Sequence, residues 1–153
     1  MTAAEIVELA PGTAAGVEAH VPVPELPAFF ARALPEAMAV AAEQGAAVTG
    51  PPFALYPSPP GTLVHVVAGI PVDRAVTPQG DVVPVEIPGG PAIEGVHEGS
   101  YDTIAATYER LLDAAHREGR EPAGPMWEYY LTDPSRQPDP ADWRTRVVVA
   151  LRP

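Results

Sequence analysis

Apolar and polar residues alternate along most of this chain in short runs cut by proline and glycine, and two stretches carry the longer three-and-four spacing of an amphipathic helix. The first helix is predicted from about residue 25 to 44. Phe29, Phe30, Leu34, Met38 and Ala41 make its apolar stripe, and Gly45 supplies a stop. Pro35 falls inside it and removes one backbone hydrogen bond, so a kink or a pair of shorter helices is expected. The second helix is predicted from Ser100, a good N-cap, to Gly119, with Ile104, Tyr108, Leu111, Leu112 and Ala115 on one face. Around the helices lie seven β-rich runs: AGVEAHVPV, PPFALYP, LVHVVAGIPV, DVVPVEIP, AIEGVHE, PMWEYYL and RTRVVVAL. In the first of them Val17, Ala19 and Val21 alternate with Glu18 and His20, the period of a strand with one face on a core. The sheet is expected to be mostly antiparallel, with PSPPG and TDPSRQPDPAD as loops joining neighbouring strands.

The same plan occurs twice. GVEAHVPVPEL, a helix, GPPFALY and VVAGIP are echoed by IEGVHEGSYDT, a helix, GPMWEYY and VVALRP. Aligning Gly50 with Gly124 sets Phe53 over Trp127, Ala54 over Glu128 and Tyr56 over Tyr130; further on, Val66 falls over Val148 and Pro71 over Pro153. The expected fold is therefore α+β: one domain over residues 1–153, built from two strand-helix-strand-strand units at about 5–75 and 82–153. Units this small cannot cover both sides of their own sheets, so packing about a pseudo-twofold axis should give one core and a central cleft where they meet.

Composition narrows the function. The chain has 153 residues, 46% of them apolar, which suits one domain. Its net charge is −11 and its basic residues are all arginine, so nucleic acid phosphates and anionic membranes are unfavourable partners. With no cysteine there are no disulfides, thiolate nucleophiles or cysteine metal sites. No apolar run is long enough for a transmembrane helix, and the N-terminal MTAAEIVELAPG does not read as a signal peptide, so a soluble cytoplasmic protein is expected. The 21 prolines sit between apolar runs and punctuate a folded chain. His20, His65, His97 and His116 lack metal-ligand spacing, and no nucleotide-binding glycine motif or nucleophile elbow is present, so neither a metal nor a cofactor is expected. His20 and His97 fall at equivalent places in the two copies.

One residue stands out chemically. Glu128 is the sole charge in GPMWEYYL, flanked by Trp127, Tyr129 and Tyr130. A strand here either shows it to water or buries it among rings, and a buried lone carboxylate is costly and has its pKa raised. Period-two geometry puts Tyr130 on the same face as Glu128, with Trp127, Tyr129 and Leu131 on the other. Across the pseudo-axis Ala54 and Tyr56 take the matching places, which leaves room beside a single anion. Tyr101 is placed to lean over a cleft mouth. Phe30 and Met38 are candidate cavity residues, while Tyr108 reads as core and Trp143 as an anchor for the last strand.

The runs IPGGPAIEGVHEGSY, GPMWEYYLTDPS and DWRTRVVVALRP, in that order around an amphipathic helix, resemble the GyrI-like small-molecule-binding family, which includes effector-binding domains of multidrug-sensing transcription activators. The resemblance covers nearly the whole chain and is strongest from Ile87 to Pro153. It implies a duplicated fold whose cleft captures bulky, lipophilic, aromatic and often cationic compounds, with Glu128 as the buried carboxylate facing them. Tyr130, Tyr56, Ala54, Tyr101, Trp127, Phe53, Phe30 and Met38 are the expected neighbours of such a ligand. No helix-turn-helix precedes the binding domain, so a stand-alone, toxin-resistance-type binder is expected in place of a DNA-bound activator. The resemblance also admits two other activities. One is hydrolysis of cyclopropanoid or similar electrophilic cytotoxins, with Glu128 as general base and Tyr130 or Tyr101 as proton donor. The other is inhibition of a gyrase-like protein partner.

Overall fold

The computed structural model describes residues 3–59 and 61–153. Met1, Thr2 and Pro60, the last in the PSPPG connection, lie outside the described residues. Eight strands and two helices follow one another as β1 (Glu5–Leu9), β2 (Gly12–Val21), α1 (Leu26–Glu43), β3 (Phe53–Tyr56), β4 (Val64–Pro71), β5 (Val82–Ile87), β6 (Gly90–Glu98), α2 (Ile104–Arg117), β7 (Pro122–Tyr130) and β8 (Arg144–Leu151). The strands form one sheet in the order β1-β6-β8-β7-β3-β4-β2-β5, and every pairing between them is antiparallel. The fold is α+β.

The order maps onto itself when β1–β4 are exchanged for β5–β8, with the axis between β3 and β7. Each half carries one strand more than the expected strand-helix-strand-strand plan, and that strand is lent to the other half: β1 pairs with β6, and β5 with β2. The run EIVEL gave no strand signal because it is a short edge whose residues are half-buried or exposed throughout.

The register corrects part of the sequence alignment. Ala54, the equivalent of Glu128 in the Gly50–Gly124 match, also lies opposite it, so the pseudo-twofold axis passes between these two residues. Ala54 also pairs with Ala68, and Glu128 with Val147, so Ala68 corresponds to Val147 and Val66 to Thr145. Val66 and Val148, aligned in the sequence, fall in clusters on opposite faces of the sheet. The odd offset arises because the loop before β8 is longer than the one before β4, and a shift of three residues reverses the face of a strand. His20 and His97 are likewise not equivalent: His20 stacks on His65, its cross-strand partner, whereas His97 is buried against α2.

Helix α1 packs on β2 and β4, and α2 on β6 and β8. The first cluster buries Phe29, Ala33, Ala37, Val40 and Ala41 of α1 against Val17, Val66, Ala68 and Ile70; the corresponding α2 cluster joins Leu111 and Ala115 to Ile93, Val147 and Val149. Small residues on α1 let it lie close to the sheet, and the predicted stripe is displaced, leaving Met38 53% exposed. Leu112 is also exposed, its place in α2 taken by Thr107. Pro35 does not split α1, which runs unbroken from Leu26 to Glu43. Pro35 and Ala31 both face solvent, where water can satisfy the carbonyl that proline leaves unpaired. Gly45 and Gly119, each at φ 71°, end the two helices in the left-handed conformation expected of a C-terminal glycine.

The second face of the sheet carries no helix. It buries Phe53, Leu55, Val67, Trp127 and Val148, and both edge strands pack on this cluster, β1 through Val7 and Leu9, β5 through Val85 and Ile87. The sheet thus curls over its own far side. Among the described residues, no helix is long and apolar enough to cross a membrane.

Candidate functional site

The two helices cover the flanks of the sheet and leave its middle pair, β3 and β7, between them. Glu128 sits at the centre of that pair, opposite the fully buried Ala54, and is only 6% exposed. Among the described residues nothing forms an ion pair or hydrogen bond with its carboxylate. Burial pushes its pKa up to about 7, because the charged form loses water and gains no protein partner. Ala54 in the symmetric place makes this a site with one carboxyl group.

Four phenols gather around that group. Tyr130 stands two residues along β7 on the same face, and Tyr56 comes from the neighbouring strand β3. Tyr101 comes from the turn that precedes α2, and Tyr108 from α2 itself. Each has its ionisation pushed upward, first by burial and next by the charge of Glu128. The phenols are therefore neutral donors at physiological pH. The hydroxyl of Tyr108 is buried without a hydrogen-bond partner, and so is that of Thr145, which lies beside Tyr130 in the sheet register. Orphaned donors close to an orphaned carboxyl group mark a place where the fold has left polar groups for something else to satisfy.

Rings form a continuous path above the carboxyl group. Phe30 meets Tyr130 edge to face at 6.3 Å, Tyr130 meets Tyr101 at 5.8 Å, and Tyr101 lies against Trp143 at 5.0 Å. Tyr101 is 36% exposed, at the solvent end of this path. Trp143 is held there by its Nε1, which donates to the carbonyl of Gln137 at 2.7 Å.

Of the residues predicted from sequence, the structure gathers Glu128, Tyr130, Tyr56, Ala54, Tyr101 and Phe30. Trp127 and Phe53 belong to the helix-free face, because odd and even positions of β3 and β7 point opposite ways. Met38 is on the outer side of α1, away from the cleft. Tyr108, expected as core, packs on the α2 cluster, and its ionisation is pushed up first by burial and next by the charge of Glu128. The anchoring role expected of Trp143 does not include its contact with Tyr101, which depends on how the loop between β7 and β8 folds back and is encoded in no local pattern. His97 is structural: its Nδ1 lies 2.7 Å from the Thr107 hydroxyl and its Nε2 2.8 Å from the Ser100 carbonyl, tying β6 to the start of α2.

An antiparallel sheet flanked by two helices, with a ring-lined carboxyl group between them, is the architecture of a small-molecule-binding domain. The GyrI-like small molecule binding domain matches residues 2–152, and the chain belongs to that family. No match emerges among curated protein sequences. The C-terminal domain of EcmrR superposes with a TM-score of 0.84 at 18% identity, covering 98% of this chain and 97% of that domain. The chain spans 57% of the longer EcmrR chain solved with DNA. SAV2435, solved bound to tetraphenylphosphonium, has a TM-score of 0.67 at 12% identity, covering 99% of this chain and 94% of its own. A hydrolase from Listeria innocua has a TM-score of 0.65 at 14% identity, covering 97% and 91% respectively. At these identities the likeness is one of fold.

Proposed function

We propose that this chain is a single binding domain that captures bulky, lipophilic, aromatic and preferentially cationic small molecules between its two helices, over β3 and β7. The observation that carries this reading is Glu128, a buried carboxyl group without a protein partner inside a ring of phenols. A cation placed over it regains the Coulomb energy that burial took away, and stacks on Tyr130, Tyr101 and Phe30 while doing so. Tyr108 and Tyr56 can donate to the carboxylate once it is ionised. The likeness to SAV2435, solved with a lipophilic cation, supports the same reading. The net charge of −11 favours cations at longer range and disfavours DNA as a direct ligand.

The test compares tetraphenylphosphonium with neutral triphenylphosphine oxide on wild type and Glu128→Gln by calorimetry at pH 8. The cation should bind the variant at least about tenfold more weakly, equivalent to about 1.4 kcal/mol, and the oxide should change by less than about twofold. Equal losses for both ligands would remove charge selection from this account.

A hydrolytic reading draws on one observation, the unpartnered Tyr108 hydroxyl beside a carboxyl group that titrates near neutrality. Those are the parts of a general base and a proton donor. Incubation with an electrophilic cyclopropane-bearing compound, followed by mass spectrometry, separates the two. Many water-added products per protein molecule support turnover, and unchanged bound compound supports capture.

A further inference from the structure

The two halves meet at a pair of residues that match in position and differ in charge. Ala54 and Glu128 lie opposite one another on neighbouring strands, so their side chains share a face. On that face Ala54 is wholly buried, in a cluster against which Tyr56, Tyr130 and Phe30 pack. Glu128 is the sole acidic residue of β3 and β7. Its isolation extends to the phenols. Burial, and next the charge of Glu128, raises the pKa of Tyr56, Tyr108 and Tyr130, and no other carboxylate contributes at these three. At Tyr101, towards solvent, Asp133 adds to the same two causes. Asp133 is exposed and already accepts from the Ser135 amide at 2.9 Å and the Ser135 hydroxyl at 2.7 Å.

A cation over Glu128 is thus answered by one anion. A second positive charge carried among the same rings would meet alanine and neutral phenols, and the water it gave up would not be replaced by a counter-ion. The net charge of −11 acts in the opposite sense, since at long range it draws a dication more strongly than a monocation. We propose, resting on the capture reading above, that Ala54 is the specificity-determining residue for guest charge: by leaving Glu128 without a second carboxyl group beside it, it makes the domain select compact monocations and reject compact dications. Selection works through what residue 54 withholds, because any acidic side chain there would complete a symmetric pair of anions on the axis.

The probes are (4-tert-butylphenyl)triphenylphosphonium and (4-trimethylammoniophenyl)triphenylphosphonium, which share one outline and differ by a carbon exchanged for a charged nitrogen. Calorimetry on the full chain at pH 8 and fixed ionic strength should show the dication binding at least about tenfold more weakly, against the direction of the long-range attraction. Ala54→Asp should shift the ratio of the two affinities towards the dication by at least about tenfold, and Ala54→Asn, of the same shape and uncharged, should produce no such shift. If Ala54→Asp fails to fold by circular dichroism, the wild-type ratio decides alone. A dication bound by wild type within tenfold of the monocation, a folded Ala54→Asp protein with the wild-type ratio, or an equal shift with Ala54→Asn would each overturn the proposal and leave capture of tetraphenylphosphonium standing. Binding of neither probe by a wild type that takes tetraphenylphosphonium would overturn it as well, since size would then be what the site selects. A wild type that binds none of the three removes the capture reading itself.

Discussion

Replacing Glu128 by glutamine should make the protein more stable at alkaline pH and change it little in acid. In the unfolded chain this carboxyl group titrates near 4.5, and in the fold burial moves it to about 7. Between those values the folded site keeps its proton while the unfolded chain has released it, so the native state binds more protons and stability falls as pH rises. The loss begins above 4.5, grows through the window and is complete above 7. Its size follows from the displacement of the pKa, about 3 kcal/mol in all. Glutamine has the shape of the protonated acid and does not titrate, so the variant escapes this loss. Urea denaturation of both proteins at pH 4 and pH 8 measures it. The midpoint of the wild type should drop relative to that of the variant by roughly 1 M or more, given slopes of about 1–3 kcal/mol/M. Tetraphenylphosphonium should restore most of the gap at pH 8, since it stabilises the ionised form. Midpoints that move in parallel between the two pH values would refute the reasoning, because the carboxyl group would then be solvated or paired.

Two further expectations concern the frame of the site. Thr145→Val deletes a buried hydroxyl that has no partner while keeping the shape, and should raise stability by about 1 kcal/mol in thermal or urea melts of the ligand-free protein. A loss of more than about 1 kcal/mol would show the hydroxyl to be engaged. Gly69→Ala would bring a Cβ within 2.3 Å of the Ala15 carbonyl oxygen and 2.9 Å of Gly16 Cα, forcing β2 and β4 apart at a cost of about 3 kcal/mol or more. Gly61→Ala, whose nearest neighbour would be 4.0 Å away, is the control and should be almost neutral in the same melt.

Much of the architecture is legible in the sequence because each half repeats the same local signals. Gly45 and Gly119 stop the helices, Ser100 caps the turn before α2 by accepting from the Asp102 amide, and alternating runs mark seven strands. The equivalence of Ala54 and Glu128 is legible for the same reason, while their pairing across the axis is a feature of the fold. What escaped depends on tertiary context. β1 has little burial of its own and becomes a strand only through β6. The stripe on α1 shifts because alanines, not Leu34 and Met38, allow the closest approach to the sheet. Tyr108 has the sequence character of a core residue and packs as one on the α2 cluster, and only the fold brings the charge of Glu128 near enough to raise its pKa. For Trp127 and Phe53, strand alternation separates them from Glu128, and the fold keeps both on the helix-free face.

The loan of β1 and β5 between halves has a bearing on assembly. A fragment ending after β4 would hold a first strand with nothing to pair to and would lack β5, the outer neighbour of β2. Neither piece is therefore complete by itself, and two pieces produced by cutting the chain in the connection between β4 and β5 should recombine into the native sheet. Newly made protein must accordingly wait for its second half before Glu128 of β7 can face Ala54 of β3, so the middle of the sheet forms only when both halves are present.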